Sequence, residues 1–233
     1  MMRMKAWEQL PEDMRCEEVR PYYDYLCRKK VSLIVKRIFD IVVSVIILAI
    51  LSPVILILGI WIKADSRGPI VFKQQRVTQY GRVFYIYKFR TMVQNAEQIG
   101  TQVTVKNDAR ITRAGQKLRN CRLDELLQLV NVLKGDMTFV GTRPESVKYV
   151  QAYTNEMKAT LLLPAGVTSV ASIQYKDEDK LLDGAEDVDH IYIEQILPVK
   201  MKWNLESIKQ FCFWKDILTM FRTVLAMVGK DYE

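Results

Sequence analysis

The dominant feature of the hydrophobic pattern is a run without a single charge at residues 41–62. As a helix it would reach about 33 Å, enough to cross a hydrocarbon core of about 30 Å. It starts too late, and lacks the small-residue cleavage site, to be a secretory signal. A buried core helix is the alternative reading, but such helices seldom stay fully apolar beyond about 14 residues. Ser52 and Pro53 fall at the midpoint of the run. Proline removes a backbone donor and kinks a helix, and a nearby hydroxyl can satisfy the freed carbonyl. Arg28, Lys29, Lys30, Lys36 and Arg37 precede the run, and Lys63, Arg67, Lys73 and Arg76 follow it. Positive residues mark the cytoplasmic side, and here both ends claim it. A kinked re-entrant helix that enters the cytoplasmic leaflet and turns back reconciles the charges with the proline. An ordinary span with a mild kink is the competing reading.

Downstream, residues 70–91 alternate as a β-hairpin about a turn at Gln79-Tyr80-Gly81-Arg82. Helical patterns follow near 114–121, 124–133 and 145–162, with short apolar strands or turns at 138–140 and 167–173. At 213–228, Phe213, Ile217, Met220, Phe221, Val224 and Met227 recur at helical spacing. Core packing and burial at a membrane interface both produce such a stripe. Residues 1–30 are polar with Tyr22, Tyr23 and Tyr25, and read as a short helical or loose lead-in. The pattern therefore predicts an α+β, mainly helical fold in one domain clamped to a membrane. Residues 1–35 form a cytoplasmic lead-in and 36–63 the membrane helix, re-entrant on the first of the two readings above. Residues 64–233 form a cytoplasmic catalytic domain with a small β-hairpin and interface-lying amphipathic helices.

Composition narrows the chemistry. The 233 residues carry a net charge of +7, which suits anionic lipid, phosphate substrates or nucleic acid alike. Cys16, Cys27, Cys121 and Cys212 are scattered, with no CxxC pair, so a zinc site or disulfide framework is not expected. The single histidine, His190, lies among acids in Asp187-Val188-Asp189-His190 and reads as a surface residue. Histidine-centred triads elsewhere in the chain are excluded.

The candidate site is Asp124–Glu125, with Arg113, Lys117, Arg119 and Arg122 just upstream. Cations beside acids at a helix start suit phosphate and a divalent metal together. A carboxylate there is favoured in its ionised form and is a competent nucleophile, while its neighbour can hold Mg²⁺. The plain alternative is that Asp124 is an N-cap, although a capping box would want Glu or Gln where Leu127 stands. Lys88 and Arg90 read equally as exposed strand charges, Asp136 as a turn residue after Gly135, and Asp40 as a helix partner for Arg37.

Ordered fragments raise the catalytic reading. They are Lys36-Arg37-Ile38-Phe39-Asp40, Ser52-Pro53, Asp65-Ser66-Arg67-Gly68-Pro69-Ile70 and Lys88-Phe89-Arg90-Thr91-Met92. Next come Leu123-Asp124-Glu125-Leu126, Asn131-Val132-Leu133-Lys134-Gly135-Asp136-Met137 and Val140-Gly141-Thr142-Arg143-Pro144. Across about residues 36–228 the chain thereby resembles the bacterial sugar transferases that act as monotopic phosphoglycosyl transferases. Each fragment is weak alone; the ordered set is specific.

The resemblance implies transfer of a sugar-1-phosphate from a UDP-sugar to undecaprenyl phosphate, with release of UMP. It implies a covalent aspartyl-phosphosugar intermediate, Mg²⁺ as cofactor, and a re-entrant anchor broken at Ser52–Pro53. By the same resemblance Asp124 is the nucleophile and Glu125 the magnesium ligand. Arg119, Lys88 and Arg90 fall to substrate binding, Arg143 and Pro144 to the nucleotide, and Lys36, Arg37 and Asp40 to the membrane boundary. The implied location is the cytoplasmic face of the bacterial inner membrane, with membrane lipid as a partner, a homodimer allowed and nucleic acid not. Three departures bear on nucleotide and sugar contacts. Thr142 replaces the first proline of a Pro-Arg-Pro element, Leu127 replaces the proline usual after Asp-Glu-Leu, and residues 163–168 lack an arginine common there. The stretch Asp177-Glu178-Asp179 reads as a subgroup feature.

Two other functional classes compete. A non-enzymatic membrane scaffold leaves the clustering of Asp124, Glu125 and Arg119 without a reason. A nucleic-acid binder lacks any zinc-finger, RNP or helix-turn-helix signature.

Overall fold

The computed structural model describes residues 4–94, 96, 108–175 and 187–227; the 177–179 stretch and the end of the last helical stripe lie outside them. After two short 3₁₀ turns, helix α1 (Arg20–Arg28) leads into α2 (Lys30–Asp65), a continuous helix of 36 residues that carries the whole apolar run. The hairpin β1 (Val71–Val77) and β2 (Val83–Phe89) follows, paired antiparallel from Val71↔Phe89 to Val77↔Val83. Then come α3 (Arg113–Asn120), α4 (Gln128–Lys134), β3 (Met137–Val140), α5 (Val147–Gln151), β4 (Ala165–Thr168) and α6 (Val170–Gln174). Strand β4 pairs parallel with β3; β3 matches the strand expected at 138–140, whereas β4 overlaps the stretch expected at 167–173 only at Val167 and Thr168, the rest of which is Ser169 and helix α6. Helix α7 (Val188–Ile191) passes through a π turn into α8 (Leu197–Lys209), and α9 (Phe213–Met227) completes the described chain. The helical stretch expected at 145–162 is in fact α5 and a 3₁₀ segment, Met157–Leu162, with Thr154 between them.

Why α2 stays helical through Pro53 is visible locally. Proline leaves the carbonyl of Ala49 without its usual N–H donor, and the Ser52 hydroxyl donates to that carbonyl at 2.9 Å. Both halves of α2 are tied to the rest of the protein. Near the start, Lys36 donates to Val140 O (2.8 Å) and to Asp216 (2.5 Å), while Arg37 donates to the carbonyls of Val132 (2.6 Å) and Leu133 (2.8 Å). Arg37 thus satisfies carbonyls at the C-terminal end of α4 that the helix itself leaves open. Asp40 accepts from Thr138 Oγ1 at 2.6 Å and from the Phe139 amide. At positions i, i+1 and i+4 these three side chains share one helix face, so the expected i, i+3 pairing of Arg37 with Asp40 gives way to contacts with β3 and α4. Towards the other end, Leu58 and Ile62 pack with Phe89 and Leu118, and Asp65 accepts from the Ala114 amide at the start of α3. The stretch between is exposed: Val45, Ile46, Ile50, Leu56 and Ile57 face outward.

The main core includes Val77 at the end of β1. Leu10, Met14, Val19, Tyr22, Tyr23 and Leu26 are buried with Leu161, Leu162, Leu197 and Met201, so the N-terminal stretch is built into this core. A second cluster joins Phe84 and Ile86 to Leu129, Val132, Met137 and Phe139, with Phe39, Val43 and Ile47 of α2 against it. On α9, Trp214, Leu218, Phe221 and Val224 form an exposed apolar stripe, while Thr219 on the opposite face is buried.

Candidate active site

Arg122 adopts a left-handed conformation (φ 53°) and turns the chain sharply after α3. Asp124 and Glu125 follow in the 3₁₀ turn Leu123–Glu125, ahead of α4 rather than within it. Asp124 is therefore not an N-cap: Leu127 holds that place and makes no side-chain cap. Glu125 Oε1 accepts from Lys88 Nζ at 3.1 Å and from Arg143 Nη2 at 2.6 Å. Burial alone would raise the pKa of Glu125, but Arg143 and Lys88 outweigh it and hold the carboxyl well below its ordinary range. Asp124 moves the other way. Burial and the Glu125 charge raise it, against Lys88 and Arg119. The helix-start argument predicts the opposite sign for Asp124; a 3₁₀ turn lacks the dipole of a long helix, and desolvation beside a like charge wins. Lys88 is lowered by burial, with Glu125 pulling it back.

The cations reach this turn because two backbone crossings are tight. In α3, a Cβ on Gly115 would lie 2.0 Å from the Thr91 carbonyl, so only glycine lets α3 pack there, and Arg119 Nε then donates to Thr91 Oγ1 at 2.9 Å. Between β3 and β4, a Cβ on Gly166 would come within 2.1 Å of Gly141 O. The Gly166 amide donates to Thr142 O at 2.8 Å and fixes the loop that presents Arg143. Pro144 is buried beside it and lines a small cavity with Thr78, Glu145 and Leu163.

Of the expected site residues, Asp124, Glu125, Lys88, Arg119 and Arg143 meet. Arg90 does not join them: it is buried and donates to Ser66 O (2.6 Å), Ser66 Oγ (2.8 Å) and Ile62 O, closing the end of α2. Asp136 serves its turn, bonded to Arg82 at 2.8 Å after Gly135 at φ 85°. His190 is exposed.

Two features escaped the sequence. Arg76 lies on the sheet face that also carries Lys88, since it pairs with Phe84 and alternation repeats to Phe72↔Lys88. The Val77 amide next to it donates to Glu145 O, which holds the strand against the Arg143 loop. Arg76 makes no hydrogen bond or ion pair among the described residues; burial lowers its pKa, Arg143 adds to that and Glu145 opposes it. Behind the loop, Tyr192 Oη donates to Glu145 Oε1 at 2.6 Å and Lys200 Nζ to Tyr192 Oη at 2.8 Å. The hairpin alternation could have flagged Arg76; nothing local links Glu145 to residues 47 and 55 positions away.

Asp124 and Glu125 supply two carboxylates, and no group of three metal-ligating side chains occurs among the described residues. That donor set fits Mg²⁺, which is usually held by one or two carboxylates with substrate phosphates completing its shell.

Comparison with known proteins places this geometry. The chain is 37% identical over 193 residues to the UDP-N-acetylgalactosamine-undecaprenyl-phosphate N-acetylgalactosaminephosphotransferase of Aeromonas hydrophila, covering 82% of this chain and 43% of that protein. It is 34% identical over 218 residues to the UDP-glucose:undecaprenyl-phosphate glucose-1-phosphate transferase of Escherichia coli (strain K12), covering 91% and 44%. A protein of the same description from Caulobacter vibrioides is 31% identical over 199 residues, covering 84% and 70%. The chain spans less than half the length of the first two. The profile described as bacterial sugar transferase matches residues 31–230, which include α2 from its second residue on, the acidic turn and the cations Lys88, Arg119 and Arg143 around it. On that match the chain belongs to the bacterial sugar transferase family.

Proposed function

We propose that this protein transfers a sugar-1-phosphate from a UDP-sugar to undecaprenyl phosphate at the cytoplasmic face of the bacterial inner membrane, the first membrane step of a surface glycan pathway. The observation that carries the reading is the acidic turn ringed by Lys88, Arg119 and Arg143 on a domain fastened to an exposed apolar helix. Relatives named for this reaction support it.

The chemistry follows from the charges. Asp124, ionised, attacks the sugar-bearing phosphorus of the donor; the phosphoanhydride bond breaks and UMP leaves with the electron pair. An oxygen of the lipid phosphate then attacks the same phosphorus, Asp124 departs as carboxylate, and undecaprenyl-diphosphate-sugar forms. A nucleophile whose proton affinity is raised by burial is a better nucleophile once ionised. Glu125 is held ionised by Arg143 and Lys88, and it fixes both cations beside the reacting phosphorus. Arg76 and Arg143, near enough for their charges to oppose each other, suit the diphosphate of the donor. Leu123, Leu126 and Leu127, which flank the two acids, pack against the cluster of Phe89 and Leu118, and this apolar flank would limit water at an acyl phosphate. Mg²⁺ held by Glu125 with Asp124 would neutralise phosphate charge during both displacements.

The topology follows from α2. Run straight, it would carry Ile62 about 33 Å from Asp40, onto opposite sides of a bilayer core. Asp40 and Ile62 are both tied to the same domain, which supports a re-entrant anchor with both ends cytoplasmic. The exposed stripe of α9 then lies in the interface.

Incubation of the purified protein with undecaprenyl phosphate, Mg²⁺ and a panel of UDP-sugars tests the reading. At least one donor should yield UMP and a lipid-linked sugar diphosphate. A folded protein that releases no UMP from any of them contradicts it.

A further inference from the structure

Along its C-terminal half, α2 leaves an open groove of about 610 Å³, within the range of small-ligand sites. Ile55, Gly59 and Lys63, four residues apart on one helix face, form one wall; Ile70 and Phe89 at the root of the hairpin belong to the other. Leu127, the third residue beyond Asp124, is also part of the lining, so the groove adjoins the acidic turn. All of the lining is apolar except Lys63. That ammonium donates to Gly68 O at 3.1 Å but has no carboxylate partner among the described residues. Gly59 is the informative position. Glycine is among the poorest helix formers, and an added Cβ would meet only the Ile70 side chain at an ordinary 3.5 Å. Neither backbone conformation nor packing calls for it; what the missing side chain leaves is space.

An apolar channel on a membrane-facing helix, with one unneutralised cation and with Leu127, three residues past Asp124, in its lining, complements a long apolar chain bearing a phosphate. We propose that this groove holds the isoprenoid units next to the phosphate of the polyprenyl phosphate acceptor, and that Lys63 attracts that phosphate as it approaches Asp124. The inference rests on the transferase reading above. Leu127 in place of proline gives the lining a flexible branched side chain, which conforms to a methyl-branched chain.

The test uses the full chain in detergent micelles with undecaprenyl phosphate and the best donor from the panel. UMP release from donor alone reports the first half-reaction, and the acceptor KM reports the second substrate. Gly59→Trp fills the groove and Lys63→Gln removes its charge; each should raise the acceptor KM about tenfold or more while the donor-only burst is unchanged. Gly59→Ala, which adds one methyl at an allowed distance, should fold as wild type and raise the acceptor KM less than Gly59→Trp, so that the effect grows with the volume added to the groove. An acceptor KM that Gly59→Trp and Lys63→Gln leave unchanged overturns the inference and assigns the groove to ordinary membrane lipid. So does a donor-only burst that falls in step with turnover. A wild-type protein that turns over no donor at all overturns the transferase reading itself, and the inference falls with it.

Discussion

Replacing the two neighbouring acids one at a time should move stability in opposite directions. Glu125 accepts two charged hydrogen bonds, from Lys88 at 3.1 Å and Arg143 at 2.6 Å, with side-chain exposures of 16%, 22% and 36% for the three partners. Such bonds are worth about 1.5–3 kcal/mol when desolvated, and screening at this exposure lowers each to about 1 kcal/mol. Glu125→Gln should therefore cost about 2 kcal/mol, or about 4–8 °C in Tm for a domain of this size. Asp124 carries the opposite balance: burial and the Glu125 charge oppose its ionised form more than Lys88 and Arg119 favour it. Asp124→Asn should raise stability by about 0.5–1 kcal/mol, or about 1–4 °C. The pH dependence separates the two further. Glu125, depressed when folded, contributes stability above the unfolded carboxylate value of about 4.3, which is lost as pH falls through its lower folded value. The penalty at Asp124 is complete above its raised folded value and vanishes as pH falls below the unfolded one, so the gain from Asp124→Asn shrinks first on acidification. Thermal unfolding by tryptophan fluorescence, in EDTA and from pH 8 to about 4, reads both substitutions; towards the acid end the Asp124→Asn gain should shrink while most of the Glu125→Gln cost remains. Equal shifts in the same direction would refute the electrostatic assignment.

Other positions respond differently. Arg76→Gln should raise the KM for the UDP-sugar about tenfold, the scale of one lost charge-assisted contact, with the acceptor KM unchanged; steady-state kinetics in each substrate checks this. Gly166→Ala drives a Cβ to within 2.1 Å of the Gly141 backbone, so it should cost at least about 2 kcal/mol by denaturant unfolding and weaken donor binding by displacing Arg143. Single cysteines at Lys30 and Arg67 should both resist an impermeant external reagent in intact cells. The pair Ser52→Ala and Pro53→Leu should straighten α2 and expose one of them, and labelling of Arg67 in the unaltered anchor would contradict the re-entrant reading.

The parts of this account legible in the sequence are the local ones. An uncharged run, a two-residue alternation and a serine beside a proline each carry their meaning within a few residues, which is why α2, the hairpin and the Ser52 bond to Ala49 O were all foreseeable. Asp124–Glu125 was legible as a pair, but not its electrostatics, because these depend on Lys88 and Arg143, 37 and 18 residues away. Arg90 shows the same limit in reverse. Its position two residues from Lys88 suggests a shared task, since alternation would put both on one face, yet β2 ends at Phe89 and Arg90, just past it, closes the end of α2 instead. Gly115 and Gly166 give no local sign of the crossings they permit, since each depends on a carbonyl from a distant segment.

The claim on which the rest depends is that Asp124 itself carries the phosphosugar. Protein incubated with a labelled UDP-sugar and Mg²⁺, without lipid acceptor, should release UMP and retain label, and peptide mapping should place a sugar phosphate on Asp124. Asp124→Asn, folded and at least as stable as wild type, should retain none. Label on another residue, or UMP release that waits for undecaprenyl phosphate, would contradict the account.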